Sequence, residues 1–395
     1  MDKKFLIYPS FYSDITITRA QGIYVYSNEN KKYSDLSGSA GMCNLGYNNK
    51  EINRVIAGQI KKLTVAPQKY RTPEREALVK KILSLFPKKY NAIIPTVTGS
   101  ETVEVAMQIA VAHTRRSSFL SFDCAYHGRT FAAGSLGEGS CGYGILKSNF
   151  DTVKPPLTTS SARNTIAQVE KMFRKKPYAA FVLEGVITNG GYLFPPSEFY
   201  RELSVLCRRS GALLICDEVL TGFGRTGRMF SFEHHNIEPD IVCLAKNIAA
   251  GHAAMGAIVT YRELAEDYEG YSAFTWPPLG CAIALKSIDM IVAKNLVARS
   301  ARLGSVALAF LKKHLDNCPM IKSINGVGLG LAIKFNSSRD AQAVYEACLD
   351  AGVIIFRKLN INLLVIQPPL IITKEELFNA IKKVIKAIGA VCERK

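Results

Sequence analysis

Apolar positions follow two alternating rhythms in the middle of this chain. Short, nearly unbroken apolar runs recur at "NAIIPTVTG", "SFLSFDCAY", "YAAFVLEG" (178–185), "ALLICDEV" (212–219), "DIVCLAK" and "AAMGAIVT". Several are separated by stretches with helical spacing, as at about 100–115 and in "PSEFYRELSVLCRRSG". Continuous apolar runs alternating with amphipathic helices predict a buried, largely parallel sheet with helices on its faces, an α/β architecture. The flanks differ. "GIYVYSNENKKYSDLSG" predicts two short strands around an Asn/Lys turn, and "NKEINRVIAGQIKKL" a helix. Beyond about 297 come a helix near 296–316, "INGVGLGLAIKF", a helix at 338–350, "GVIIF", "INLLVIQPPLIIT" and a final helix from Lys374. We therefore expect a large domain over 61–296 and a smaller α+β domain over 297–395. Residues 1–60 are expected to form an N-terminal segment packing with the small domain.

Composition narrows the class. The 395 residues are 48% hydrophobic and 21% charged, ordinary for a folded globular protein. No window approaches the roughly 18 apolar residues that span a bilayer, so no membrane partner is expected. The opening "MDKKFLIYPSFYSD" lacks the long apolar core of a signal peptide. The ten cysteines are scattered, several lie inside apolar runs, and none forms a C-x-x-C pair. Reduced thiols fit better than a disulfide framework or a zinc site, and we expect a cytoplasmic protein without a metal. The net charge of +17 comes without a zinc finger, an aromatic RNA-binding strand or a basic repeat. It reads as lysine-decorated faces that also attract anionic small substrates, and no nucleic-acid partner is expected.

Five places at strand ends carry candidate chemistry, because ligands of open α/β sheets gather at the carboxyl ends of strands. In "TVTGSETVEVAMQIA", Gly99 and Ser100 stand where strand gives way to helix. There, free N–H groups and a hydroxyl can hold a phosphate, or Ser100 simply caps the helix. In "DCAYHGRT", Tyr126 offers a ring for stacking beside a glycine, or is a turn residue. Glu184 closes the run "FVLEGVITNGG". Asp217 closes "LLICDEV" and needs a partner: a pyridinium N–H, or an internal salt bridge, a part that Glu218 next door could also play. Lys246 sits alone between the runs 241–245 and 248–250. It is either a surface residue at a strand end or a desolvated, nucleophilic amine. An amine, an acid for a ring nitrogen, an aromatic platform and a phosphate cradle together describe a pyridoxal phosphate site.

The run "LLICDEVLTGFGRTGRMFSFEHHNIEPDIVCLAKNIAAG" resembles the signature of the class III (omega) aminotransferases, with Lys246 29 residues after Asp217. "TGSETVEVA", "AYHGRT", "LEGVITNGG", "PPLGCAIAL" and "QPPLIITKEEL" resemble successive blocks of the same family, and the likeness covers nearly the whole chain. Its members include acetylornithine, ornithine and 4-aminobutyrate aminotransferases. They are pyridoxal-5'-phosphate enzymes of fold type I, the aspartate-aminotransferase fold. The resemblance implies that Lys246 forms the Schiff base with the cofactor and shuttles protons at the substrate carbon, while Asp217 pairs with the ring nitrogen. It further implies that Tyr126 stacks on the ring and Val219 packs on its other face. Gly99 and Ser100 hold the phosphate, Glu184 borders the substrate pocket, and His127 belongs to the cofactor-binding set. A threonine of the partner subunit completes the phosphate site in this family. Thr275 in "AFTWPPLGC" is the counterpart, which implies a homodimer.

The chain also departs from the family pattern. Leu220 stands where glutamine or histidine is common, Gly185 where proline is usual, and about two residues are missing between Thr275 and the "P-L-x-C" block. Many relatives carry, three residues before "PPL", an arginine that clamps the α-carboxylate; here that residue is Val365. Arg357 reads as a surface residue, and Arg225 is not assigned to substrate. The expected activity is transfer of an amino group from an ω-amine, a diamine or a β/ω-amino acid to a keto or aldehyde acceptor. The alternatives are an amino-acid racemase, epimerase or aminomutase on the same fold, and a non-catalytic binding paralogue.

Overall fold

The computed structural model describes residues 15–137, 147–270, 272–358 and 361–394. The opening fourteen residues and Cys141 lie outside them. Strands β1 (Ile17–Gln21), β2 (Tyr24–Ser27) and β3 (Lys32–Asp35) form an antiparallel meander. The central sheet contains β4 (Ala92–Thr96), β5 (Ser118–Phe122), β6 (Phe150–Val153), β7 (Tyr178–Leu183), β8 (Leu213–Asp217), β9 (Ile241–Leu244) and β10 (Gly256–Thr260). Its strand order is β4-β10-β9-β8-β7-β5-β6. Only β10 runs against its neighbours; the other contacts are parallel.

The sheet is buried on both faces, which is why its strands lack polar alternation. Every residue of β5, β7, β8, β9 and β10 is buried. Helices Gly99–Thr114, Thr159–Lys175, Ser197–Ser210 and Pro278–Ala293 accompany it. Helix Gly99–Thr114 turns Val103, Ala106, Met107, Ile109 and Ala110 inward, at the spacing of one helical face.

Two smaller sheets complete the chain. Strands β11 (Ile321–Val327), β12 (Gly330–Phe335), β14 (Phe356–Lys358) and β15 (Leu363–Ile366) form an antiparallel sheet in the order β11-β12-β15-β14. The two-residue β13 (Val353–Ile354) pairs with β3 in parallel. The N-terminal meander and the C-terminal part are therefore joined by backbone hydrogen bonds. Helices Leu296–Leu315, Ser338–Asp350 and Lys374–Cys392 cover this half, and the last two begin where the sequence reading put them.

Sequence reading missed several elements. β1 is mostly exposed and carries little apolar signal. β6 is a short edge strand in register with β5. Helix Pro278–Ala293 is apolar around most of its circumference, so it has no polar face to reveal its period. Residues Gly38–Gly41 form a turn with four successive positive φ angles, including Ser39 at 52° and Ala40 at 57°. Asp35 holds it by accepting hydrogen bonds from Ser37 N at 2.7 Å and Ser39 N at 3.1 Å.

Candidate active site

Because β4, β5, β7, β8 and β9 run parallel, their carboxyl ends meet at one edge of the central sheet. The candidate residues follow those ends: Gly99 and Ser100 after β4, Tyr126 and His127 after β5, Glu184 after β7, Asp217 as the last residue of β8, and Lys246 after β9.

Asp217 is nearly buried and fully engaged. Its Oδ1 accepts a hydrogen bond from Val219 N at 2.9 Å, and its Oδ2 lies 2.9 Å from His127 Nδ1. The internal salt-bridge reading of Asp217 is thus met by a histidine rather than by a lysine or arginine. The His127 ring is fully enclosed, and among the described residues its Nε2 has no hydrogen-bond partner. A proton on Nδ1 directed at the carboxylate satisfies both groups and fixes the ring.

Lys246 opens a short 3₁₀ turn (Lys246–Ala249) with φ at 39°, a costly conformation for a side chain with a Cβ. It is partly shielded from solvent. Burial lowers its pKa below the ordinary lysine value, while the nearby Asp217 and Glu184 carboxylates pull the other way. Lys246 is therefore a partly desolvated side chain rather than a fully exposed one. Asn247 next to it is buried and donates to Leu220 O at 3.3 Å.

Glu184 is held by the loop it starts. Its Oε2 accepts from Thr188 N at 2.9 Å and Thr188 Oγ1 at 2.6 Å, and its Oε1 from Tyr126 N at 3.3 Å. Burial raises its pKa; His127 and the Thr188 bonds oppose the rise, and Asp217 adds to it. The loop backbone is pinned as well. Tyr200 Oη donates to Glu184 O at 2.9 Å, and His235 Nε2 sits 2.7 Å from Gly185 O. A side chain at Gly185 would stand 2.5 Å from Ser231 Oγ, so proline does not fit there. Thr188, Tyr200 and His235 gave no local sequence signal, since each acts on a backbone or carboxyl group brought to it by folding.

At the start of helix Gly99–Thr114 the structure corrects the capping reading of Ser100. Thr98 is the cap: its Oγ1 accepts from Glu101 N at 3.2 Å, and Glu101 Oε2 accepts from Val97 N at 2.8 Å. The first amides of this helix have no partner within it. Ser100 Oγ accepts from Arg129 N at 3.1 Å, one residue past Gly128. Gly128 has φ at 137°, and a Cβ there would fall 2.7 Å from Ser100 Oγ. A Cβ on Gly99 would fall 2.6 Å from Val219 Cγ1, so the helix start lies directly against Val219. Tyr126 is 42% exposed, and Lys358 Nζ lies over its ring, 5.4 Å from the centre.

The remaining candidates lie elsewhere. Glu218 has no cationic partner among the described residues. It accepts from Thr221 Oγ1 and Ser231 Oγ, each at 2.6 Å, and from Phe232 N at 3.0 Å. Thr275 is buried in its own turn, with Oγ1 donating to Ser272 O at 2.9 Å, and does not hydrogen-bond to the Lys246 cluster. Arg225 is fully buried and spent on structure, donating to Leu329 O at 2.9 Å, Pro368 O at 2.5 Å and Asn44 Oδ1 at 2.5 Å. Burial lowers its pKa to about 10. Arg357 is partly buried on β14 rather than fully exposed. Val365 packs in an apolar cluster with Val186, Tyr192, Ala332 and Leu363.

Glu218 gives a stability prediction. Burial raises its pKa to about 7, against the opposing hydrogen bonds from Ser231, Thr221 and Phe232. The unfolded chain loses this proton near pH 4.3, the folded chain near 7. Between those values the folded state binds the extra proton, so this group's contribution to stability falls as pH rises and levels off above the upper value. The fall is about 4 kcal/mol, at about 1.4 kcal/mol per pKa unit. Wild type and E218Q, melted in parallel at pH 5 and pH 8, are expected to differ more favourably for the variant at pH 8. An unchanged difference would refute the assignment.

The match to known proteins is extensive. The family model "Aminotransferase class-III" matches residues 8–388. The chain is 30% identical over 406 residues to an uncharacterized aminotransferase of Bacillus subtilis, covering 93% of this chain and 90% of that protein. It is 30% identical over 384 residues to the acetylornithine aminotransferase of Archaeoglobus fulgidus, covering 96% and 97%. Among solved structures, a transaminase from the marine bacterium Virgibacillus superposes with a TM-score of 0.93 at 27% identity, covering 100% of this chain and 98% of that one. With the sheet edge, the amine and the carboxylate in their family order, the chain belongs to the class III aminotransferases, the pyridoxal-phosphate-dependent transaminases.

Proposed function

We propose that this aminotransferase takes its amino group from a terminal amine and that Lys246 and Asp217 carry the chemistry. The observation that carries the reading is the pairing of a desolvated amine with a histidine-braced carboxylate at adjacent strand ends. The residues present fit pyridoxal phosphate. The open amides at Gly99 and Ser100, with the glycine contact to Val219, offer a phosphate seat beside an apolar surface. Tyr126 offers a ring face and Asp217 an anion for the ring nitrogen. Bound there, the cofactor supplies an aldehyde and an electron-withdrawing ring. Lys246 holds the cofactor, then accepts and returns the proton at the substrate carbon. Asp217 keeps the ring nitrogen protonated, His127 fixes Asp217, and Glu184 borders the substrate.

The donor class follows from Val365. A carboxylate set against Val186, Tyr192, Leu363 and Val365 would lose its water to apolar side chains and find valine in place of an arginine at 365. Donors whose reacting carbon bears no carboxylate, such as ω-amines, diamines and β/ω-amino acids, avoid that cost. The assay follows ¹⁵N from a labelled amine into a keto acid. Terminal amines are expected to exceed α-amino acids in kcat/KM by about 100-fold, the scale of one unpaired buried polar group. Equal use of both donors overturns the donor class, and no ¹⁵N in any acceptor overturns the catalytic reading.

The same reading includes a homodimer in the cytoplasm, with Thr275 completing the partner's phosphate site. Its support is an exposed apolar patch of Ile60, Leu63, Val65, Tyr70 and Phe274. The loops that carry it are tied together where Gln68 Nε2 donates to Ala273 O at 3.4 Å and to Thr275 O. A patch of this kind marks an interface. Sedimentation is expected to give the mass of two chains; the mass of one chain removes this part. No helix among the described residues is long and apolar enough to cross a membrane.

A further inference from the structure

Tyr192 is a strained residue in the loop that Glu184 opens. Its φ is 53°, a left-handed conformation that a side chain with a Cβ keeps only where its surroundings hold it. The loop closes on itself where Ile187 and Leu193 exchange backbone hydrogen bonds, each at 3.0 Å. It is tied to β11 by Asn325 Nδ2, which donates to Gly191 O at 3.3 Å. Tyr192 itself is 1% exposed and packs on one face of the C-terminal sheet. There β12 and β15 pair with Ala332 opposite Val365, so Gly330, Ala332, Leu363, Val365 and, one step past the strand, Gln367 share that face. A Cβ on Gly191 would stand 3.1 Å from Leu363 Cδ1, while Tyr192 Oη, at the far end of the ring, donates to Gln367 Oε1 at 2.9 Å. The side chain therefore runs from beside Leu363 to Gln367 and crosses Val365, which belongs to the same apolar cluster. A Cβ on Gly330 would overlap Tyr192 Cε1, so only glycine leaves the ring its place.

We propose that Tyr192 is a specificity-determining residue: its ring seals the face around residue 365, so that no substrate carboxylate settles there even when a cation is supplied. The inference rests on the donor class proposed above and names the side chain that enforces it. Val365 withholds a charge, and Tyr192 withholds the space. An arginine at 365 would lie against a ring whose hydroxyl is already spent on Gln367 and whose edge sits on Gly330. A carboxylate would have to displace that ring before it could form a bidentate pair with the guanidinium. Removing the ring frees an aromatic-sized space beside the loop that Glu184 opens, and only then does a cation at 365 gain an anion to bind. Because both changes act on one contact, their effects are expected to be strongly non-additive. The response should appear with α-amino acids and not with terminal amines, which carry no carboxylate at the reacting carbon.

The experiment compares wild type, Y192A, V365R and Y192A/V365R, each loaded with pyridoxal phosphate, in the ¹⁵N assay with an α-amino acid and with a terminal amine. The readout is the ratio of kcat/KM for the two donors, which damage common to both does not move. Either single variant is expected to leave that ratio within about threefold of wild type. Y192A/V365R should shift it toward the α-amino acid by about 30-fold, the scale of one charge-assisted hydrogen-bonded pair. A second measurement needs no turnover. Propionate, a carboxylate that cannot react, is titrated calorimetrically into the same proteins and should bind about 10-fold more tightly to the double variant than to V365R. Y192L/V365R, which keeps more of the apolar packing, takes the place of the double variant if alanine prevents folding, and the same two shifts are expected of it. A shift in V365R alone as large as in the double variant would overturn the role of Tyr192 and leave the donor class standing. An unshifted ratio with unshifted propionate binding in a folded double variant would overturn it too. Equal use of both donors by wild type would instead remove the donor class on which the proposal rests.

Discussion

Replacing Lys246 by alanine is expected to lower turnover by about a millionfold, the loss that follows when the one nucleophile of a catalytic unit is removed. Two features of the site lead to that number. The amine is desolvated, and burial lowers its pKa toward the unprotonated form that attacks a carbonyl. Its backbone sits at φ 39° on a tight turn, and a strained residue of this kind persists only where the surroundings hold it. Alanine relaxes neither the turn nor the sheet, so melting temperature should hold while activity goes. Arginine at 246 keeps a charge but cannot attack, and should be as inactive as alanine. Borohydride reduction should fix the cofactor to the wild-type chain and leave both variants unlabelled. Turnover within tenfold of wild type in the alanine variant, or label retained in it, would remove Lys246 from the chemistry.

Much of this site was legible from the chain alone, and for a physical reason. A buried parallel sheet has no polar face, so its strands appear as bare apolar runs, and the charged residues that end them stand out: Glu184 after "YAAFVL", Asp217 after "LLIC", Lys246 after "IVCL". What could not be read is what reaches those residues from far away. His127 and Asp217 are separated by 90 positions, and neither flanking segment says which ring nitrogen faces which oxygen. Thr98 and Ser100 both suit a helix start; only the fold decides that Thr98 caps it and frees Ser100 to meet Arg129. The direction of β10 was also hidden, because an antiparallel strand buried on both faces has the same apolar composition as a parallel one. Val365 was visible as a departure from the family pattern, but its apolar neighbours come from β12 and the loop after Glu184.

The carboxylate at 217 carries the second large effect. Replacing it with asparagine preserves shape and removes the charge. The amide can still accept a hydrogen bond from a ring N–H, yet it no longer favours the protonated ring, and turnover should fall by about 100- to 1,000-fold. The same change alters the partner of His127, whose Nδ1 lies 2.9 Å from Oδ2 and whose ring is fully enclosed. If His127 works only by holding Asp217, then H127N should cost less than D217N, and the double variant should cost no more than D217N alone. Additive losses would mean that His127 acts on the cofactor or substrate by itself. A spectroscopic readout separates this from simple damage to the fold. Absorbance of the bound cofactor, titrated against pH, should shift strongly in D217N, modestly in H127N, and no further in the double variant. His127 Nε2 has no hydrogen-bond partner among the described residues, so among them the ring's only hydrogen bond is to Asp217, which sharpens the test. Unaltered turnover and an unaltered titration in D217N would place the ring nitrogen's partner elsewhere, and with it the catalytic arrangement argued from these strand ends.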